Sequence, residues 1–245
     1  MRDPRGPARD PRLGGFGLAV AGAGFVAGLL ASVLAIATVA AVQGTTLGEQ
    51  TLGIAVASSV GLAMGFLVVP VLAARRRGGL GSFLGLRIRP VVDVPLGLVA
   101  GLASTFAASL ITSAVLDASR RVELETKAKD VIDRAQQPAS VVVLVGVLCV
   151  LTPLAEEVFF RGLVFRSLAR LAPVPVAVVV GAVVFGVVHF SGGSQAVVLN
   201  QLGLLAGFGA VLCLLTWWTG RLGAAIVAHA AFNLVTVLDV VIRRR

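Results

Sequence analysis

Apolar residues fall into seven runs, at about 14–42, 51–74, 93–117, 139–165, 174–190, 197–219 and 222–242. Short Arg-rich stretches separate them. A helix crossing a bilayer needs roughly 20 mostly apolar residues, because the hydrocarbon core is about 30 Å thick. Backbone polar groups in lipid must bond within the segment, and the runs lack the strict alternation of a barrel strand. The pattern therefore predicts an all-α, polytopic transmembrane bundle of about seven helices, with six to eight as the range. The fourth run can continue as helix to about Leu171.

Composition strengthens this reading. The chain is 57% hydrophobic and 13% charged, about half the charge of an ordinary soluble domain. The net charge of +9 does not point to nucleic acid, since the arginines sit at run edges, as in Arg75 to Arg77, Arg87 and Arg89. The expected partners are the bilayer and a protein or peptide substrate, with no nucleic acid. Cys149 and Cys213 fall inside apolar runs and read as small core residues, neither a disulfide nor a metal pair. Residues 1–13 read as a disordered polar tail, and the first run as a retained helix and not a cleaved signal. Residues 14–138 would hold the first three helices and their loops, and 243–245 a basic end. The longest hydrophilic loop is expected at 118–138. Most of the 21 Lys and Arg lie on the inner side if the N-terminus is cytoplasmic.

Ionisable residues within apolar runs are costly and mark function. The sharpest case is Glu156-Glu157 in LTPLAEEVFFRGLVF. Two adjacent carboxylates in a low-dielectric setting repel and lose hydration, which suits one of them to acid–base work. Arg161, four residues after Glu157, shares its helical face and can hold one carboxylate ionised. A plain ion pair at a helix end would give the same spacing, but both histidines of the chain also lie in apolar runs. His189 ends FGVVHF, and His229 precedes Asn233 by one helical turn. Depth ties these together. Glu156 lies 17 residues before Pro173, the expected turn, and His189 lies 16 after it. In a helical hairpin both sit roughly 18–20 Å from the turn. Glycines 181, 186, 203, 207 and 209 would let the helices pack closely.

Three motifs, Glu156-Glu157-x-x-x-Arg161, Phe185-x-x-x-His189 and His229-x-x-x-Asn233, together resemble the signature of the CPBP family. This family comprises type II CAAX prenyl endopeptidases and bacterial relatives linked to bacteriocin processing and self-immunity. The resemblance covers about 139–240 and implies a catalytic helix bundle over 139–242, in a bacterial plasma membrane. It implies an intramembrane endopeptidase acting on a membrane-associated or prenylated substrate. Glu156 would activate water with help from His189, while His229 and Asn233 would stabilise the oxyanion. Glu157, Arg161 and Phe185 would support them. A zinc version would take Glu156, His189 and His229 as ligands. HExxH is absent and Asn233 suits an oxyanion better than a metal, so a glutamate mechanism without a cofactor is favoured. Two other readings are a non-catalytic self-immunity protein and a proton-coupled transporter. The absence of an internal repeat ranks the transporter last.

Overall fold

The computed structural model describes residues 10–46, 51–77, 79–123, 137–190 and 192–243. Seven long helices account for most of them: α1 (Pro11–Gln43), α2 (Leu52–Arg76), α3 (Pro90–Val115), α4 (Pro138–Leu171), α5 (Val174–Val188), α6 (Gln195–Thr219) and α7 (Gly223–Arg243). There is no strand among the described residues. Five helices, α1 to α4 and α6, are long and apolar enough to cross a bilayer, and α5 and α7 are shorter apolar helices. The protein is a multi-pass, all-α membrane bundle.

Each helix corresponds to one apolar run, and α4 does reach Leu171. The first helix begins at Pro11, before its apolar run, because Asp10 caps it by accepting from the N–H groups of Arg12 and Leu13. The rest of the expected tail, residues 1–9, lies outside the described residues, as does most of the expected loop at 124–136.

Small residues bring the helices together. A Cβ at Gly61 in α2 would lie 2.5 Å from Ser32 Cα in α1, and one at Gly101 in α3 would lie 2.5 Å from the Ala228 carbonyl in α7. Between α5 and α6, Gly186 faces the Leu202 carbonyl and Gly209 faces Ala182. Two of the glycines expected to serve the same purpose do not. Gly203 and Gly207 have nothing near the position of a Cβ, because they lie on other faces of α6. Cys149 and Cys213 are buried free thiols.

Helix α4 runs through the middle of the bundle and is not a uniform α-helix. Val147–Leu151 and Glu157–Phe165 are wound as π-helix. Every residue of the second stretch is buried, including Glu157 and Arg161. The chain is pinned elsewhere by a pair that no motif suggested. Asp93, fully buried at the start of α3, accepts from the Arg89 N–H at 2.7 Å and from Arg221 Nε at 2.9 Å and Nη2 at 2.8 Å. Arg221 lies just before α7, so this pair fixes the start of the helix that carries His229 and Asn233.

Candidate active site

Proline and π-winding together prepare the first half of the site. The Thr152 N–H bonds back to the Val147 carbonyl, five residues earlier. The next donor in that pattern would be residue 153, which is Pro153 and has no N–H. The Leu148 carbonyl is therefore left without a helical donor. Asn233 Nδ2 takes that place, donating to Leu148 O at 2.7 Å. One N–H of the amide is spent on holding the side chain, and the other remains for chemistry.

One turn further along α4, Glu156 and Glu157 point into different surroundings. Glu157 is fully buried and accepts from Arg161 Nη1 at 2.9 Å and from His229 Nδ1 at 2.8 Å, both on Oε1. Arg161 also donates to the Gly209 carbonyl at 3.2 Å, and its guanidinium lies 4.1 Å from the centre of the Phe185 ring. Glu157 is thus the charge partner of Arg161, as its spacing predicts, and additionally the anchor of His229.

Glu156 faces two imidazoles. His189 Nε2 lies 3.4 Å and His229 Nε2 3.8 Å from Glu156 Oε2. The other ring nitrogens decide the tautomers. His189 Nδ1 is 2.7 Å from the Phe185 carbonyl, which can only accept, so Nδ1 carries a proton. His229 Nδ1 faces an arginine-paired carboxylate and must also donate. Each neutral imidazole therefore presents a bare Nε2 to Glu156. Three acceptors then converge, an arrangement that requires a shared proton or a water between them. Glu156 Oε2 is itself buried without a hydrogen-bond partner.

These groups line one cavity of about 210 Å³, bounded by Thr152, Glu156, Phe185, His189, Leu205, Phe208, His229, Phe232 and Asn233. The matched depth of Glu156 and His189 about Pro173 is realised, although His189 caps α5 and does not lie within it. Phe185 carries His189 on its carbonyl and touches both imidazoles with its ring, at centroid distances of 4.4 and 5.8 Å. Sequence reasoning missed Thr152, Leu205, Phe208 and Phe232. Thr152 had a usable signal, since it lies one turn before Glu156. The apolar three look like any other lipid-span residues. Phe208 stacks on Phe232 at 4.3 Å and meets His229 edge-on, closing the floor beneath the imidazole.

Two imidazole nitrogens and a carboxylate oxygen are donor types that zinc accepts. Among the described residues, however, no group of three or more His, Cys, Asp or Glu is arranged to hold a metal ion.

No curated protein and no solved structure matches the chain. A family does. Residues 138–235, which carry every side chain of this cavity, match the family model described as Rce1-like, type II CAAX prenyl endopeptidase Rce1-like. Over that segment the chain is similar to the Rce1-like type II CAAX prenyl endopeptidases, within the CPBP family that its three motifs resemble.

Proposed function

We propose that the protein is an intramembrane endopeptidase that hydrolyses a peptide bond of a membrane-associated or prenylated substrate with a water activated by Glu156. The observation that carries this reading is the convergence of Glu156 Oε2 with two bare Nε2 atoms in a small cavity inside the bundle. A water there donates one hydrogen to Glu156 and the other to His189 Nε2, which leaves an oxygen lone pair for the substrate carbonyl carbon. Attack forms the C–O bond and moves one proton to Glu156. The carbonyl oxygen becomes an oxyanion facing the remaining Asn233 N–H. His229 Nε2 would add a second donor when the proton taken from the water resides on it and not on Glu156, 3.8 Å away. Collapse breaks the C–N bond, and the proton on Glu156 passes to the leaving amine. Removing one oxyanion donor costs other hydrolases about 10²–10³ in rate.

The test is cleavage of a fluorogenic farnesyl-cysteine peptide by the purified protein in detergent, with the unprenylated peptide as comparison. Glu156→Gln should reduce the rate by about 10²–10⁴, the range for a lost general base, with unchanged thermal unfolding. Full activity in Glu156→Gln would overturn the assignment. Inhibition by a chelator, reversed specifically by zinc, would replace the glutamate mechanism with the metal version.

A further inference from the structure

Two arginines at the far end of α4 are buried with no acid in ion-pair contact among the described residues. Arg166 is 9% exposed and Arg170 6% exposed. Arg166 reaches the carbonyls of Gly220 and Ser82, and Arg170 that of Phe83, each at 3.4 Å. Those are long contacts to neutral acceptors. Arg166 Nε is buried with no hydrogen-bond partner. Neither guanidinium forms an ion pair among the described residues. The neighbouring charges make the imbalance worse. Arg87 and Arg170 both act on Arg166 with like charge. Asp10 is the carboxylate whose charge reaches Arg170, and its Oδ1 is already engaged in capping α1.

Buried charges are normally paired, and a buried cation left alone costs several kcal/mol. Backbone carbonyls at 3.4 Å do not supply that balance. The place of the cluster indicates what would. It sits under the turn at Leu80–Leu84, where α2 ends, α3 starts and α4 ends, so it lies at a membrane surface. Arg87 stands exposed at its rim, with Nε placed 2.6 Å from where a Cβ on Gly81 would be. A fork of guanidinium donors at headgroup depth matches phosphate oxygens, which accept in a bidentate manner and carry the missing charge.

We propose that Arg166, Arg170 and Arg87 form a binding site for the phosphate of an anionic lipid headgroup, which docks against the Leu80–Leu84 turn. It is separate from the cavity at Glu156, ten residues earlier on α4. Occupancy would tie α4 to the turn and to Gly220, next to the Asp93–Arg221 pair, and so stiffen the start of α7.

The full chain, purified in detergent, tests this by native mass spectrometry and thermal unfolding. It is titrated with phosphatidylglycerol, phosphatidylcholine or inorganic phosphate. Phosphatidylglycerol should be retained and should raise the unfolding temperature, while phosphatidylcholine should do neither. Arg166→Gln and Arg87→Gln should each weaken retention by roughly fivefold, the effect of one arginine at a lipid surface. The exposed pair Arg75→Gln/Arg76→Gln should leave it within about twofold. Arg87 is exposed, so its variant decides the matter if Arg166→Gln does not fold. Equal retention of the two lipids, or retention unchanged by Arg87→Gln, overturns the proposal. Stabilisation by inorganic phosphate equal to that by phosphatidylglycerol would assign the cradle to a free anion and overturn the lipid.

Discussion

His229 Nδ1 donates to Glu157 Oε1 across 2.8 Å, joining α7 to α4 between residues 72 apart in sequence. Arg161 donates to the same oxygen, so one carboxylate balances a buried guanidinium and sets the tautomer of a candidate catalytic imidazole. Stability and activity should therefore respond differently. Arg161→Ala strands Glu157 and should cost about 3–5 kcal/mol in unfolding free energy, the usual penalty for breaking a buried pair. The double variant Glu157→Leu/Arg161→Met should recover most of that stability. It should not recover peptide cleavage, because His229 no longer has its anchor. Thermal unfolding and cleavage, measured on the same preparations, separate the two effects.

Pro153 gives a second prediction. Its missing N–H leaves Leu148 O for Asn233. In Pro153→Ala, the new N–H competes for that carbonyl and loosens the amide. Cleavage should fall several-fold, while unfolding changes by less than about 1 kcal/mol, since the new bond offsets the lost one. Asn233→Ala should slow cleavage by about 10²–10³ if this donor acts alone. A variant Asn233→Ala with wild-type cleavage would remove the amide from the mechanism.

The Asp93–Arg221 pair lies away from the cavity yet sets the start of α7. Asp93→Ala leaves Arg221 unpaired and frees the Arg89 N–H. A loss of about 3–5 kcal/mol in stability is expected. Arg221→Lys keeps the charge without the two-pronged contact and should lie between the wild type and Asp93→Ala.

Gly101 reports on the same helix through packing alone. Valine there must displace the Ala228 carbonyl, the residue before His229. Gly101→Val should cost about 1–3 kcal/mol and reduce cleavage, although it touches no cavity residue. Gly203→Ala, with open space at its Cβ position, should do neither.

Much of this was legible in the sequence because membrane helices follow few rules. Apolar run length located the helices, and the two arms about Pro173 matched the depths of Glu156 and His189 to within a residue. The Glu157–Arg161 spacing foretold their contact because both lie on one helix. Contacts between distant helices were not legible. Asp93 and Arg221 are 128 residues apart, and each looks like an ordinary interfacial charge until the helices are packed. Arg166 and Arg170 count in the sequence only among the charges of the inner side, but the turn at Leu80–Leu84 folds over them. Glycine spacing likewise could not tell Gly209, which meets α5, from Gly207, which meets nothing.

The π-wound stretch Val147–Leu151 sets the phase between the two parts of α4. It stores one residue more than an α-helical path of the same connectivity needs. Returning that residue to α winding would slide Pro138–Gly146 by about 1.5 Å and turn it by about 100° relative to Glu156, without breaking the rod. The π turn thus decides which residues of Pro138–Gly146 face lipid and which face the bundle, for carboxylates held in place by Arg161 and the imidazoles.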